Sequence, residues 1–334
     1  MDSAKASAFF RVLEKAEKIV FIGHYNPDGD CIGCLTAMRA WVEANYGRDG
    51  IMIVPGNFPD YLGFLPSADR ILVFTRQASA ANEAIKAADT IICLDFNTLS
   101  RTEALADIIR QSSARKVLID HHPSPENFAD VEISYTQVSS ACELAWWVVQ
   151  HKNGVMPDAS MIAFYTGMMT DTNNFSNSVY PSTFRMAAQI AESGIDREKV
   201  QMGVLNSFSE QRMRLMGEML LNNMYIVSVG EMRAGIMILD SATKEKYNYA
   251  DGDSEGFVNL PLKIKGIEIS ALFTQGDGFI RVSLRSKGAI SVNQLSRRFF
   301  NGGGHERASG GRIEIPVEEI KTYFEKSLRA FLET

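Results

Sequence analysis

Through the first half of the chain, short β-branched runs alternate with stretches of helical periodicity, and few folds accept that order. Lys18–Gly23, Ile51–Pro55, Ile71–Phe74, Thr90–Asp95 and Lys116–Asp120 read as buried strands, because each is almost continuously apolar. Helical patterns near Ser7–Glu17, Cys31–Asn45, Ala80–Ala88 and Glu103–Gln111 separate several of them. Strands apolar on both faces and spaced by helices imply a parallel sheet covered on both sides. Such sheets place their ligands at the carboxyl ends of the strands. From Ser139 to about Asn223 the pattern turns helical and Met-rich; Met213, Met216, Met219 and Leu220 form a stripe read as packing. Near Met224 a second regime begins. Tyr225–Val229, Ala234–Leu239, Ile267–Thr274 and Phe279–Leu284 read as strands, with a hairpin turn at Gln275–Gly278. A helix near Val292–Phe300, the glycine-rich Asn301–Gly311 and a helix over Val317–Phe331 follow. The expected fold is therefore α/β with a smaller α+β domain behind it: a first domain over 1–193, a helical linker over 194–223 and a second domain over 224–334.

Composition narrows the function classes. The net charge of −6 argues against a surface built to neutralise the phosphates of duplex nucleic acid. The longest apolar runs, Ile19–Gly23 and Ile91–Leu94, are far too short to span a bilayer. The N-terminal stretch lacks an apolar h-region and a small-residue cleavage site, so a cytoplasmic protein is expected. Four cysteines, Cys31, Cys34, Cys93 and Cys142, do not make a secreted disulfide framework in a chain of this length. Cys31-x-x-Cys34 has no second ligand pair at zinc-site spacing, and Asp28 and Asp30 just upstream oppose thiolate formation. The pair therefore reads as small buried helix residues.

The chemistry concentrates in rare residues at strand ends. Of five histidines, His24 lies in His24-Tyr-Asn-Pro-Asp28-Gly-Asp30, His121 and His122 follow Asp120, and His305 follows Gly302-Gly303-Gly304. Asp95 and Asp171 stand in similar contexts. Any one of these has an ordinary explanation: an aspartate after a strand caps a helix, and Pro-Asp-Gly makes a turn. His24, Asp95 and Asp120, however, each end a strand of one sheet and would converge on one rim. Carboxylates gathered so closely repel unless cations separate them, and Asp/His ligation without thiolate suits Mn²⁺ or Mg²⁺.

Taken in order, these segments resemble the DHH phosphoesterase superfamily, and within it the DHH–DHHA1 branch of nanoRNases and pAp phosphatases. The resemblance runs over nearly the whole chain: His24-x-x-x-Asp28-x-Asp30, Asp95, Asp120-His121-His122 and Asp171-Thr172 in the first part. Glu255-Gly256-Phe257, Arg281-x-Ser283-x-Arg285-Ser286 and Gly302-Gly303-Gly304-His305-x-x-Ala308-Ser309-Gly310 follow in the second. It implies one ion held by His24, Asp28 and Asp95, and another by Asp30, Asp95, His121 and Asp171, with Asp95 shared. Asp120 would orient a metal-binding imidazole, and His122 would meet the scissile phosphate. Gly303 and Gly304 would let backbone approach the substrate, while Arg285, His305 and Ser309 contact it. Where relatives write Asp-Thr-Gly, this chain has Asp171-Thr172-Asn173-Asn174, which touches the pocket wall and not the ligand.

The implied activity is Mn²⁺-dependent, with two ions and with Mg²⁺ or Co²⁺ as substitutes. It is hydrolysis of short single-stranded RNA or DNA oligomers to mononucleotides, removal of the 3′-phosphate of pAp, or both. No duplex nucleic acid and no membrane are expected as partners, and homodimerisation is left open. Rival readings are a phosphodiesterase for cyclic dinucleotides or their linear products, a family II-like inorganic pyrophosphatase, and a nucleotide-binding protein without turnover.

Overall fold

The computed structural model describes residues 3–333, which divide into two compact units, one up to Ser207 and one from Phe208. The division falls inside the stretch expected to be a linker.

The first unit opens with α1 (Ser3–Lys15), β1 (Ile19–Ile22), α2 (Gly29–Tyr46), β2 (Ile51–Val54), β3 (Leu72–Val73) and α3 (Phe74–Ala87). It continues with β4 (Thr90–Leu94), α4 (Ala106–Gln111), β5 (Arg115–Asp120) and β6 (Val131–Ser134). Then come α5 (Ala141–Val149), α6 (Asp158–Asp171), α7 (Pro181–Glu192) and α8 (Arg197–Leu205). The six strands pair in the order β3-β2-β1-β4-β5-β6, and every pair is parallel. Alternate residues feed two cores. Phe21, Ile92, Leu94 and Ile119 face a core shared with α2, α5 and α6, whereas Val20, Ile22, Ile91 and Leu118 face one with α3 and α4. Strand order reverses between β1 and β4, so the chain leaves their carboxyl ends in opposite directions and opens a crevice there. β6 was not expected: its sequence, Val-Glu-Ile-Ser, alternates as an edge strand does and gives a weaker signal than the central runs.

Two helices are held unusually close by small residues. A Cβ built on Gly33 of α2 would lie 2.7 Å from the Ala163 carbonyl oxygen of α6. One built on Gly167 of α6 would lie 2.2 Å from Cys142 Sγ and 2.9 Å from Asp30 Oδ1. Any side chain at these positions would push the helices apart. Their close approach brings the start of α2, with Asp30, to the end of α6, with Asp171.

The second unit contains α9 (Glu210–Leu221), β7 (Met224–Val229), β8 (Met232–Leu239), α10 (Ser241–Lys246), β9 (Ile269–Gln275) and β10 (Ile280–Ser286). It ends with α11 (Val292–Phe299), β11 (Gly303–His305), β12 (Ala308–Ile313) and α12 (Ile320–Leu332). Its sheet runs β11-β12-β10-β9-β8-β7 and is mixed, β8 and β9 being parallel and the other pairs antiparallel. Phe273, Phe300 and Phe324 pack one face with α11 and α12; Leu215 and Met219 of α9 help cover the other. Of the Met-rich stripe only Met219 is fully buried, and Met213 is half exposed. The glycine-rich segment is not a bare loop but a short hairpin, β11–β12, at the edge of this sheet.

Candidate metal centre

The crevice between β1 and β4 receives the side chains that the sequence singled out in the first unit. His24 follows β1, Asp95 follows β4, His121 and His122 follow β5, Asp28 and Asp30 begin α2, and Asp171 ends α6. Asp95 has a left-handed backbone, φ 63°, unusual for a residue other than glycine and a form of strain typical of functional positions. Its N–H still donates to the Ile119 carbonyl at 3.1 Å, extending the β4–β5 ladder by one bond while the carboxylate turns into the crevice.

Around Asp95 the donors face one another at distances suited to an intervening ion. His24 Nε2 is 3.3 Å from Asp95 Oδ2 and 3.9 Å from Asp28 Oδ1. His121 Nε2 lies 3.5 Å from Asp95 Oδ1 and 3.7 Å from both Asp30 Oδ2 and Asp171 Oδ2. His24 Nδ1 donates to the Tyr25 carbonyl at 2.8 Å, which leaves Nε2 as a bare acceptor. That Nε2 and Asp95 Oδ1 are buried and have no hydrogen-bond partner. Two buried polar atoms without hydrogen-bond partners in a cluster of carboxylates fit a divalent cation, and a histidine pinned through its other nitrogen to a carbonyl is a common metal-ligand arrangement.

Each acid is held from behind. Asp28 caps α2, its Oδ1 accepting from the Asp30 and Cys31 N–H groups at 3.1 Å. Asp30 accepts from the first N–H groups of α5, Ala141 at 2.6 Å and Cys142 at 2.9 Å, so a helix N-terminus steadies its charge. Asp120, expected to orient an imidazole, fixes the ring of His122. It accepts from His122 Nδ1 at 2.7 Å and from the His122 backbone N–H at 3.0 Å. His122 Nε2 in turn accepts from Arg101 Nη1 at 2.9 Å. Arg101 escaped the sequence reading: it sits in a short 3₁₀ segment, Leu99–Leu105, six residues after Asp95, where no periodicity marks it. Its own carbonyl accepts from the Tyr25 N–H at 2.7 Å, tying this turn to the end of β1.

Without a cation the cluster cannot keep all its carboxylates ionised. Burial, with Asp95 and Asp171 adding to it, pushes Asp30 well above the usual carboxylate range. Burial likewise pushes Asp120 up to about 7. Burial would raise Asp95 too, but the flanking imidazoles of His121 and His24 hold it well below the ordinary value. Burial opposes an imidazolium at His121, yet Asp95, Asp171 and Asp30 outweigh it and lift the ring to about 10. Protons thus occupy the place a cation would take. After Asp171 the backbone runs through three consecutive positive φ values, at Asn173, Asn174 and Phe175. Asparagine tolerates that conformation better than most residues, which suits Asn173 and Asn174 to these positions.

The remaining predicted contacts lie in the second unit. Arg285 is on β10, where its Nη1 donates to the Leu284 carbonyl. Gly303, Gly304 and His305 form β11; Gly304, at φ 144°, donates its N–H to Asn293 Oδ1. Ser309, on β12, donates to the Val292 carbonyl at 2.7 Å. None of the ligand residues lines the open cavity of about 420 Å³ beside α5 and α7, which is walled by Tyr135, Trp147, His151 and Arg185 among others.

Comparison with known proteins settles the family. Residues 18–172 match the N-terminal domain of the DHH family, and residues 234–333 match the DHHA1 domain. The chain belongs to the DHH–DHHA1 phosphoesterases. A crystal structure of an exopolyphosphatase-related protein from Bacteroides fragilis superposes with a TM-score of 0.91 at 35% identity, covering 100% of this chain and 98% of that one. The bifunctional oligoribonuclease and PAP phosphatase NrnA of Bacillus subtilis is 27% identical over 91% of each chain. The probable enzyme of the same name from Streptococcus mutans is 25% identical over 96% of this chain and 98% of its own.

Proposed function

We propose that this protein is a Mn²⁺-dependent phosphoesterase that cleaves short oligoribonucleotides to mononucleotides and removes the 3′-phosphate of pAp. The observation that carries the reading is the pair of buried, unpartnered acceptors, His24 Nε2 and Asp95 Oδ1, at the centre of a carboxylate cluster. The full-length similarity to proteins named for those two activities supports the choice of substrate.

In this reading His24, Asp28 and Asp95 hold one divalent ion, and Asp30, His121, Asp171 and the shared Asp95 hold a second. When bound, the pair would activate water and neutralise charge on the phosphoryl group. The protein's own groups do the rest. Asp120 fixes the His122 ring and its tautomer, so that His122 and Arg101 present one face to a phosphoryl oxygen. Arg101, parked on His122 Nε2, supplies a fixed positive charge for the phosphate. The α5 N-terminus holds Asp30 in place through both carboxylate oxygens. By resemblance, Arg285, Gly303, Gly304, His305 and Ser309 belong to the same reading as substrate contacts. The net charge of −6 suits small or single-stranded substrates over duplexes, and we read the enzyme as cytoplasmic; among the described residues no helix is long and apolar enough to cross a membrane.

One Mn²⁺ panel tests the proposal: pAp, the linear dinucleotide pApA, RNA and DNA oligomers of two to five nucleotides, cyclic di-AMP and pyrophosphate. Turnover of pAp and of short RNA supports it. Orthophosphate released from pyrophosphate alone, or no turnover of any compound with the metal bound, overturns it.

A further inference from the structure

The ligands in the crevice are nitrogen and oxygen donors, but a sulfur stands among them. Cys31 follows Asp30 in the first turn of α2 and is fully buried. A ring nitrogen of His24, the Cys31 sulfur and an Asp95 carboxylate oxygen lie within 4.8 Å of one another, the spread expected of groups converging on one ion. The sulfur is held there by shape. It packs against Gly23, where a built Cβ would come within 2.4 Å of it, so the absence of a side chain at 23 makes room for the thiol beside the β1 end. The other cysteines are engaged elsewhere. Cys93 lies in the apolar core under the sheet, Cys142 Sγ is directed at the Asp30 and Ala163 carbonyls, and Cys34 packs between α2 and its neighbours. An independent feature points into the same spot: His24 Nε2, on a side chain more than nine-tenths buried, has no hydrogen-bond partner and faces Asp95 Oδ2 at 3.3 Å.

We propose that Cys31 is an additional, conditional metal ligand: with His24 and Asp95 it forms a mixed nitrogen, oxygen and sulfur site that captures thiophilic ions such as Zn²⁺ or Co²⁺. This rests on the reading that His24 and Asp95 hold a divalent ion. Hard Mn²⁺ is satisfied by the carboxylates and imidazole and leaves the thiol protonated. A softer ion bonds the sulfur: the S–H bond breaks, an S–metal bond forms, and the proton leaves to solvent. Cys31 thereby makes the site discriminate between metals, favouring zinc and cobalt beyond what the acidic donors alone would give. The Cys-x-x-Cys spacing had suggested no metal because no further ligands follow in sequence; they arrive from β1 and β4 instead.

The test is X-ray absorption on full-length protein loaded with two equivalents of Zn²⁺, with Co²⁺ titrations followed by the thiolate-to-cobalt charge-transfer band in the near ultraviolet. The wild type should show a sulfur scatterer at about 2.3 Å beside nitrogen and oxygen at about 2.0–2.1 Å. Cys31→Ser should lose the sulfur shell and the cobalt band, whereas Cys142→Ser keeps both. Competition should show Zn²⁺ affinity falling about tenfold or more in Cys31→Ser while Mn²⁺ affinity stays within about threefold. A shell of nitrogen and oxygen only, with two Zn²⁺ bound, overturns the role of Cys31 and leaves the metal centre standing. Failure of wild type and variant alike to retain any Mn²⁺ or Zn²⁺ overturns both.

Discussion

Arg101→Ala isolates the group that the structure adds to the candidate metal-binding acids. The side chain donates to His122 Nε2 at 2.9 Å, and its charge sits beside a ring already fixed by Asp120. A hydrogen bond to a charged phosphate is worth roughly 1.5–3 kcal/mol. At about 1.4 kcal/mol per factor of ten, removal should lower kcat/KM by about 10- to 150-fold for pAp and for a short RNA. The fold should not suffer, because the contact that this turn makes with β1 runs through the Arg101 carbonyl, which alanine retains. Arg101→Lys should recover part of the loss, restoring charge without the planar fork. Steady-state kinetics at saturating Mn²⁺, paired with a melting curve, gives the answer. Wild-type kcat/KM in Arg101→Ala at unchanged melting temperature would refute the assignment of Arg101 to the phosphate.

Three further outcomes are expected. Asp95→Asn would remove the charge that the proposed mechanism shares between two ions, and should cost several kcal/mol of transition-state stabilisation, seen as loss of about a thousandfold or more in kcat with Mn²⁺ present. Gly33→Ala, although alanine is the better helix former by about 1 kcal/mol, should destabilise the first unit by about 1–3 kcal/mol in urea unfolding, because the new methyl meets the backbone of α6; a more stable variant would contradict the close packing. The metal-free protein should lose stability as pH rises. His121, lifted to about 10 from 6.5, and Asp120, lifted to about 7 from 3.8, both bind protons more tightly folded than unfolded. Their contribution is complete below the unfolded values and drains away toward the folded ones. Between about pH 6.5 and 9, His121 alone should cost on the order of 3 kcal/mol, and Mn²⁺, which needs deprotonated ligands, should reverse the trend in thermal melts.

The parallel sheet was legible because β1, β2, β4 and β5 are buried on both faces and therefore written as unbroken apolar runs. The edge strand β6, with Glu132 among its four residues, carried no such run. The convergence of His24, Asp95 and Asp120 could be read from strand ends. That Asp30 meets Asp171 could not, since it depends on Gly33 and Gly167 letting two helices close. The partners behind the acids were equally hidden: the Ala141 and Cys142 N–H groups act through backbone, which leaves no trace in residue identity. That Asp120 would orient an imidazole could be read from its place beside two histidines, but that its carboxylate accepts from both Nδ1 and the backbone N–H of His122 could not. Arg101 was missed because its short 3₁₀ segment carries no periodicity, whereas Cys31 was read as a small buried helix residue and is one; only the fold shows that His24 and Asp95 are its neighbours.

The number and placement of bound ions test the proposed metal centre most directly. Crystals grown with Mn²⁺ and measured at the manganese absorption edge should show two anomalous peaks in the β1–β4 crevice, about 3.5–4 Å apart, with the Asp95 carboxylate between them. A single ion, or peaks only at surface carboxylates with His24 and Asp95 left bare, would contradict it.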